Sequence, residues 1–264
     1  MKTLDMISGD KRFLIIGGSG TGKTHLVGTL CSLMPTLVVT ADPHGLDTLK
    51  VMDAKPAGIV LLEDWRNAQD YYNEVVSASK TCKALVLDDV GALQRLVHSK
   101  LDYTAQGRDE EKLSPDRRQD KVRGELLLGE RRFRMDQWGS LGLALTTWID
   151  ELLRLSFPVK LFTVLEEEEE HPRTGAAHIY PHLQGSIRRD LSARFSFVGN
   201  TFIVNVEGKT LYCLTSHSHP RIETKDRYGI PRTWVSPTGE GLVLHTVDKG
   251  QVETVQEKYI GTGL

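Results

Sequence analysis

The sequence lacks the features that mark secreted, metal-stapled and membrane-spanning proteins. Its three cysteines, Cys31, Cys82 and Cys213, lie far apart and form no CxxC pair, which argues against a disulfide framework and a zinc finger. No apolar run approaches the roughly 18 residues of a transmembrane helix, and Met1 to Lys11 contains no apolar core of the kind found in secretory signals. We therefore expect a cytoplasmic protein with no membrane partner.

The sequence also has almost no net charge. It contains 33 Lys and Arg residues against 35 Asp and Glu residues, which gives a net charge of -2 at pH 7. A nearly neutral protein can still bind nucleic acid through a local basic surface. Composition therefore neither demands nor excludes a nucleic-acid partner, and any binding surface must be a patch.

A complete phosphate-binding loop, or P-loop, lies near the start of the chain. Residues 17–24 read Gly-Gly-Ser-Gly-Thr-Gly-Lys-Thr, which fits GxxxxGK[ST], and they lie between an apolar strand and a helical segment. In such a loop the glycines let backbone N–H groups face the phosphates at the positive end of the helix. Lys23, which we expect to be exposed, reaches the β- and γ-phosphates, and the Thr24 hydroxyl ligates Mg²⁺. We therefore expect ATP and Mg²⁺ as cofactors, with the nucleotide bound by Gly17, Gly18, Ser19, Gly20, Thr21, Gly22, Lys23, Thr24 and His25.

An apolar strand that ends in acidic residues supplies the second part of the predicted site. Ala84–Leu87 is wholly apolar and is followed by Asp88 and Asp89. Asp88 would hold Mg²⁺ from the carboxyl end of its strand, where ligands of open α/β sheets bind. Hydrolysis also needs a group that orients or deprotonates water. Asp89 is one candidate, and Asp42, at the end of the strand Thr36–Thr40, is the other.

Strands alternate with helices along the chain, which predicts an α/β fold with a central, mostly parallel sheet and antiparallel strands added at the C-terminal edge. The predicted strands are Arg12–Ile16, Thr36–Thr40, Ala84–Leu87, Val159–Leu165, Phe195–Val198, Thr201–Val206 and Leu211–Thr215, and the predicted helices include Trp65–Lys80, Met135–Leu155 and Ser186–Arg194. We find no repeat and no long linker. We therefore expect one domain over 1–264, with a core at about 10–230, a charged insertion at about 103–134 and a C-terminal extension at about 231–264.

Beyond these patterns, the chain resembles the RecA-like P-loop ATPases, and in particular the small phage-encoded ATP-binding proteins of single-strand annealing and recombination. The resemblance lies in the order and spacing of short motifs over roughly residues 10–230. After the P-loop these motifs are Val38–Asp47, Trp138-Gly139, Pro181-His182-Leu183-Gln184-Gly185 and Lys225-Asp226-Arg227-Tyr228-Gly229. The resemblance implies a RecA-like fold, ATP hydrolysis, and self-assembly into a ring or filament with ATP between subunits.

The resemblance also implies roles for particular residues. It favours Asp42 as the acid that activates water, although the family more often has Glu at this place. It implies a polar group at the end of the fourth predicted strand that senses the γ-phosphate; Glu166 or Glu167 holds this place, where relatives often carry Gln or His. Lys225 and Arg227 would reach the γ-phosphate of ATP in a neighbouring subunit.

In RecA-like recombinases the loops after the third and fourth strands face single-stranded DNA, and their counterparts here are about 103–134 and 166–185. Cations that track phosphates and rings that stack on bases suit such DNA. The first loop contains Arg117, Arg118, Lys121, Arg123, Arg131, Arg132, Phe133 and Arg134. Acidic residues are interleaved with these cations, so a merely solvated charged face remains an alternative. The second loop begins with five glutamates, Glu166–Glu170, which repel phosphate.

We thus expect an ATPase that acts on single-stranded DNA in phage-type recombination, annealing or replication in a bacterial host, with a recombination or replication protein as a further candidate partner. Two alternatives stay open. One is an ATPase of the same fold that acts on a protein, such as a helicase loader or an assembly factor. The other is a nucleotide-dependent structural or switch protein with weak hydrolysis.

Replacing Arg131, Arg132 and Arg134 together with Ala should weaken the binding of single-stranded DNA. Each phosphate contact that is lost should reduce the slope of log K against log salt concentration by about 0.7. Titration of a labelled oligonucleotide at several salt concentrations measures this slope. Binding that ignores both the salt concentration and the three substitutions would show that DNA does not bind through this insertion.

Overall fold

The computed structural model describes residues 10–98, 135–170, 177–206, 208–217, 222–228 and 233–236. Ten strands in these ranges form one mixed sheet. The strands are β1 Lys11–Gly17, β2 Thr36–Thr40, β3 Gly58–Leu61, β4 Ala84–Leu87, β5 Val159–Glu170, β6 Ala177–Pro181, β7 Phe197–Val206, β8 Lys209–Thr215, β9 Lys225–Asp226 and β10 Thr233–Val235. The helices are α1 Lys23–Leu33, α2 Gly45–Val51, α3 Ala68–Ala78, α4 over residues 90–98, α5 Met135–Arg154 and α6 Ile187–Asp190.

Six parallel strands form the centre of the sheet, in the order β7-β1-β5-β4-β2-β3. Strand β8 is antiparallel to β7, and β10 is antiparallel to β8. Two further antiparallel strands are β6, which pairs with β5, and β9, which pairs with β7. The predicted fold class, a mostly parallel α/β sheet with antiparallel strands at the C-terminal edge, is confirmed.

The two faces of the sheet bury separate hydrophobic clusters. Alternate residues of a strand face opposite sides, so Leu14 and Ile16 of β1 belong to one cluster and Ile15 belongs to the other. Residues of α3, α4, α5 and α6 pack in the first cluster, and residues of α1 and α2 pack in the second. Strands β2 and β4 are buried along their whole length, which explains their continuous apolar sequences.

The predicted helices are present with slightly different bounds. The segment predicted as Trp65–Lys80 is a 3₁₀ turn, Trp65–Asn67, followed by α3. The segment predicted as Ser186–Arg194 is the short helix α6 followed by a second 3₁₀ turn, Ser192–Arg194. Among the described residues, no helix is both long and apolar enough to cross a membrane.

Two features of the sheet differ from the sequence prediction. The prediction omits β3, which is only four residues long and begins with a glycine. The segments predicted as separate antiparallel strands, Phe195–Val198 and Thr201–Val206, form the single strand β7, which runs parallel to β1. Gly199 lies within β7, where its lack of a side chain makes room for its neighbours; a Cβ at Gly199 would lie 2.7 Å from the side chains of both Leu214 and Phe197.

The run of five glutamates forms part of a hairpin and not a loop. Strand β5 continues to Glu170 and pairs with β6. Arg188 Nη1 donates to Oε1 of Glu169 at 2.7 Å and lies 3.9 Å from Oε2 of Glu167. The Arg188 guanidinium also lies 4.3 Å above the ring centre of Tyr180 on β6. Glutamate has a low β-propensity, which disfavours a strand over Glu166–Glu170. The contacts of Arg188 across β5 and β6 stabilise the strand in spite of this.

The predicted division of the chain falls partly outside the described residues. The charged insertion at 103–134, with its arginines and Phe133, lies outside them, as does most of the extension at 231–264. The single domain over 1–264 therefore stays a prediction.

Candidate functional site

A cavity of about 460 Å³ lies beside the P-loop, where β2 and β4 end. Residues from the P-loop, α1, α2 and α4, from the segments that follow β2 and β4, and from within β5 and β8 line it. The predicted site residues at its wall are Ser19, Gly20, Gly22, Lys23, Thr24, His25, Asp42, Asp88 and Asp89. The residues that the sequence reasoning missed there are Gly45, Thr48, Arg95, Leu165 and Tyr212. The structure therefore brings most of the predicted nucleotide site together.

The P-loop connects β1, which ends at Gly17, to α1, which begins at Lys23. Gly20 and Gly22 have φ angles of 76° and 96°, and residues with a side chain rarely adopt such angles. The N-terminus of α1 therefore faces the cavity. Its backbone N–H groups and the helix dipole favour an anion there.

Strand β7 packs against the P-loop through Thr201. Gly17 pairs with Thr201, and a Cβ at Gly17 would lie 2.0 Å from the Thr201 hydroxyl and 2.7 Å from its carbonyl oxygen. The hydroxyls of Thr201 and Thr21 lie 2.7 Å apart, and the Thr21 hydroxyl donates to the Gly18 carbonyl at 2.8 Å. Gly17 is thus needed for a close approach of two strands, and Thr201 is a contact that the P-loop pattern does not predict.

Lys23 is buried, with 8% of its surface exposed, so the expectation of an exposed lysine was wrong. Its ammonium group donates to the carbonyl oxygens of Gly17 at 2.7 Å and Gly18 at 2.6 Å, which holds the side chain against the loop. Burial lowers the pKa of Lys23, and nearby carboxylates oppose this effect. In order of decreasing influence, these carboxylates are Asp88, Asp89 and Glu166.

The two predicted magnesium ligands are in contact. The Thr24 hydroxyl donates to Oδ2 of Asp88 at 3.0 Å, and the hydroxyl of Thr163 on β5 donates to Oδ1. Burial raises the pKa of Asp88, and the hydrogen bonds from Thr163 and Thr24 oppose that rise. Hydroxyl and carboxylate oxygens are the hard donors that Mg²⁺ prefers. Thr24 and Asp88 therefore fit the cation that the motif implies.

Asp42 and Asp89 remain the two candidates for activating water, since both line the cavity. Oδ1 of Asp42 accepts from the backbone N–H of His44 at 3.0 Å. Oδ1 of Asp89 accepts from the backbone N–H of Ala92 at 2.6 Å and caps α4. In the described ranges Oδ2 of either carboxylate has no protein hydrogen-bond donor, so the contacts do not distinguish the two candidates.

Glu166, and not Glu167, lies against the P-loop. A Cβ at Gly18 would lie 3.1 Å from Oε1 of Glu166, and Oε2 of Glu166 accepts from the side-chain amide of Asn200 at 2.9 Å. Glu167 faces Arg188 instead, at 3.9 Å. Of the two residues considered for sensing the γ-phosphate, Glu166 is therefore the one that lies beside the P-loop, and the role itself stays a prediction.

Lys225 and Arg227 lie away from the cavity. Lys225 pairs with Val198 of β7, whereas Gly17 pairs with Thr201, further along β7 toward its carboxyl end. At about 3.3 Å per residue this offset is roughly 10 Å. The pair is thus nearer the amino end of the parallel strands, and the P-loop is at the carboxyl end.

The segment that carries this pair is fixed by hydrogen bonds to the segment before β7. The Lys225 ammonium donates to the carbonyl oxygens of Ser192 at 3.3 Å and Ala193 at 3.4 Å. The backbone N–H of Arg227 donates to the Ser196 carbonyl at 3.0 Å. Burial, and to a smaller extent Arg227, lower the pKa of Lys225.

Three of the residues that sequence reasoning missed share one signal. Thr163, Asn200 and Thr201 are polar but at most 2% exposed, and they lie within strands. A buried polar side chain needs a hydrogen-bond partner. A polar residue inside a buried parallel strand therefore predicts a side-chain hydrogen bond to a neighbouring segment. Arg95 carries no such signal.

A family model described as an AAA domain matches residues 10–228 of the chain. The match begins just before β1 and ends just after β9, so it includes the P-loop, both water-activating candidates and the Lys225–Arg227 pair. It supports an ATPase domain of the P-loop type and says nothing of phage recombination. No curated protein matches the chain.

Asn substitutions of three aspartates should separate their roles. Asp88→Asn should weaken Mg²⁺-dependent nucleotide binding, because it removes a charged ligand. Asp42→Asn should slow hydrolysis by about 10²–10⁴-fold and preserve ATP affinity, because it removes a proton acceptor. The measurements are nucleotide titrations with and without Mg²⁺ and steady-state phosphate release.

The matched control is Asp47→Asn, since the Asp47 side chain is 61% exposed on α2 and pairs with Lys50; it should change neither quantity. If Asp89→Asn abolishes hydrolysis and Asp42→Asn does not, the water-activating acid follows β4 and not β2.

Proposed function

The chain belongs to the family of AAA domains, and we propose that it binds ATP with Mg²⁺ in the cavity beside the P-loop and hydrolyses the ATP to ADP and phosphate. The observation that carries this proposal is the contact between Thr24 and Asp88, 3.0 Å between hydroxyl and carboxylate oxygens. It joins the end of a P-loop to a half-buried acid at the end of β4. A magnesium–nucleotide complex requires this set of groups.

Residues of this chain supply the phosphate-binding charge. The N-terminus of α1 offers backbone N–H groups, and Lys23 adds a positive charge beside them. Mg²⁺, held by Thr24 and Asp88, would neutralise charge on the phosphates. Thr163 keeps the Asp88 carboxylate oriented toward Thr24 through its own hydrogen bond.

Hydrolysis requires a carboxylate that takes a proton from water. Water attacks the γ-phosphorus, the bond to the ADP oxygen breaks, and the water proton passes to Oδ2 of Asp42 or of Asp89. The resemblance to RecA-like ATPases supports Asp42. The negative charge of Asp89 raises the pKa of Lys23, and this interaction supports Asp89.

We further propose single-stranded DNA as the substrate on which the ATPase acts, in recombination, annealing or replication of the phage type. The resemblance of the short motifs and the arginines of the insertion support this proposal. The five glutamates Glu166–Glu170 argue against DNA binding less strongly than their negative charges alone indicate. Arg188 lies near Glu167 and Glu169, and Asn200 engages Glu166, so part of the negative charge is compensated or directed inward.

The test is ATP hydrolysis measured with and without single-stranded DNA, together with particle size. Lys23→Ala should abolish turnover, because it removes charge compensation at the phosphates. Because Lys23 is buried, Lys23→Met serves as a second variant that keeps most of the side-chain volume, and thermal melting checks both folds. Near-normal hydrolysis by both variants would overturn the ATPase proposal. Turnover that ignores DNA, with no DNA retained at low salt, would favour a protein partner.

We also propose that the protein assembles with itself and that Lys225 and Arg227 act on ATP held by a neighbouring subunit. Their position near the amino end of the parallel strands, roughly 10 Å along β7 from the level of the P-loop, supports action between subunits over action within one. A cation supplied to the γ-phosphoryl group in this way accelerates hydrolysis by about 10³–10⁵-fold.

Mixing two inactive variants tests this arrangement. Lys23→Ala subunits keep Arg227, and Arg227→Ala subunits keep a working P-loop, so mixed assemblies should regain activity at interfaces that pair the two. The control replaces the first variant by the double variant Lys23→Ala/Arg227→Ala, which leaves every interface without Arg227 and should stay inactive. Co-assembly without recovery, or hydrolysis by a strict monomer, would show that these residues are not shared.

A further inference from the structure

Arg95 lines the nucleotide cavity, and the mechanism above does not use it. It lies on α4, the helix that follows Asp89, is exposed, and shares the cavity wall with Lys23 and Thr24. We propose that its guanidinium contacts the γ-phosphoryl group of ATP in the same subunit and stabilises the charge of the transition state, an inference that rests on the proposed ATPase function.

The Arg95 side chain reaches the cavity because of the residue one turn before it. Side chains of a helix lean toward its N-terminus, which for α4 is the cavity end. Nη1 of Arg95 lies 3.7 Å from the point where a Cβ of Gly91 would be, and Oδ1 of Asp89 lies 3.0 Å from the same point. The absence of a side chain at Gly91 thus leaves the surface next to Asp89 open to the guanidinium.

The charges of the cavity leave Arg95 available for a ligand. Within the ranges that the structure describes, no carboxylate lies within 4.0 Å of its guanidinium. Lys23, in contrast, already donates to two carbonyl oxygens, and the other charged groups that line the cavity, Asp42, Asp88 and Asp89, are acidic. Arg95 is therefore the cation at this wall that no described protein group engages.

The turn of α4 that carries Arg95 is fixed on both sides. Asp89 caps the helix through the N–H of Ala92 at 2.6 Å. Gln94, only 6% exposed, donates to the Gln184 carbonyl at 3.0 Å and accepts from the Gln184 N–H at 3.0 Å. These contacts set the position of the Arg95 backbone before any ligand binds, so ordering α4 adds little to the cost of using the side chain.

The chemistry suits a fixed arginine. During phosphoryl transfer, negative charge is spread over the oxygens of the γ-phosphoryl group, and a guanidinium offers several N–H donors in one plane. The role of Arg95 is to donate hydrogen bonds, while a carboxylate takes the proton of water. Such a contact strengthens as the reaction proceeds and therefore acts on kcat more than on the affinity for ADP.

The test compares wild type, Arg95→Ala and Arg95→Lys, with Arg154→Ala as the matched control. Arg154 is also exposed, and its guanidinium pairs only with Glu151 among the described residues, outside the nucleotide cavity. Arg95→Ala should reduce kcat by about 10²–10³-fold with ADP affinity unchanged. It should also lose the tight binding of ADP with aluminium fluoride, which imitates the transferring phosphoryl group. Arg95→Lys should recover part of the rate, and Arg154→Ala should match wild type.

Near-normal kcat in Arg95→Ala, measured beside an active wild type, would overturn this inference and leave the proposed function standing. A wild-type protein that neither hydrolyses ATP nor binds ADP with aluminium fluoride would overturn the proposed function itself. Equal losses of ADP binding and kcat would show a structural role for Arg95 and would also overturn the inference.

Subunit mixing distinguishes action within a subunit from action between subunits. Lys23→Ala subunits should not restore Arg95→Ala subunits, because no subunit of the mixture then has both a working P-loop and Arg95. Recovery of activity in this mixture would show that Arg95 serves a neighbouring subunit, contrary to the inference.

Discussion

One half-buried carboxylate, that of Asp88, holds the site together. Asp88 accepts hydrogen bonds from Thr24 at the start of α1 and from Thr163 within β5. A carboxylate in this position is costly to bury without partners, and the two hydroxyls reduce that cost without adding a charge. The helix after the P-loop and two neighbouring strands are thus joined through the carboxylate that would hold a magnesium ion. Other parts of the cavity are arranged around this contact.

The loop itself is held by contacts at its two ends. Lys23 closes back on the carbonyl oxygens of the loop, while Thr201 approaches Gly17 from β7 so closely that no side chain would fit. A loop that is fixed before its ligand arrives loses little entropy on binding. Its rigidity therefore comes from neighbouring strands as much as from its own glycines.

The sequence was sufficient to predict the parts of the site whose residues lie close together in the chain at a spacing that nucleotide binding requires. The P-loop and the acids after β4 follow from short motifs, and four of the six parallel strands, β1, β2, β4 and β5, follow from short, mainly apolar runs. The sequence was insufficient where contacts join distant segments. Thr201 and Thr21 are 180 residues apart in the chain, and nothing local to either predicts their hydrogen bond. The strand through Glu170 depends in the same way on Arg188, and the burial of Lys23 depends on how the loop folds back.

The position of β9 near one end of the parallel strands, with the P-loop at the other, has a consequence for symmetry. A subunit that offers Lys225 and Arg227 from one end and receives ATP at the other presents two different surfaces. A two-fold dimer uses the same surface of both partners, so a single such interface could not satisfy both ends. Subunits joined head to tail could use both surfaces, because each interface would pair one end of a subunit with the other end of its neighbour. The two ends of the resulting assembly would then differ. Unless it closes on itself, one terminal subunit would hold a nucleotide with no cation supplied to it.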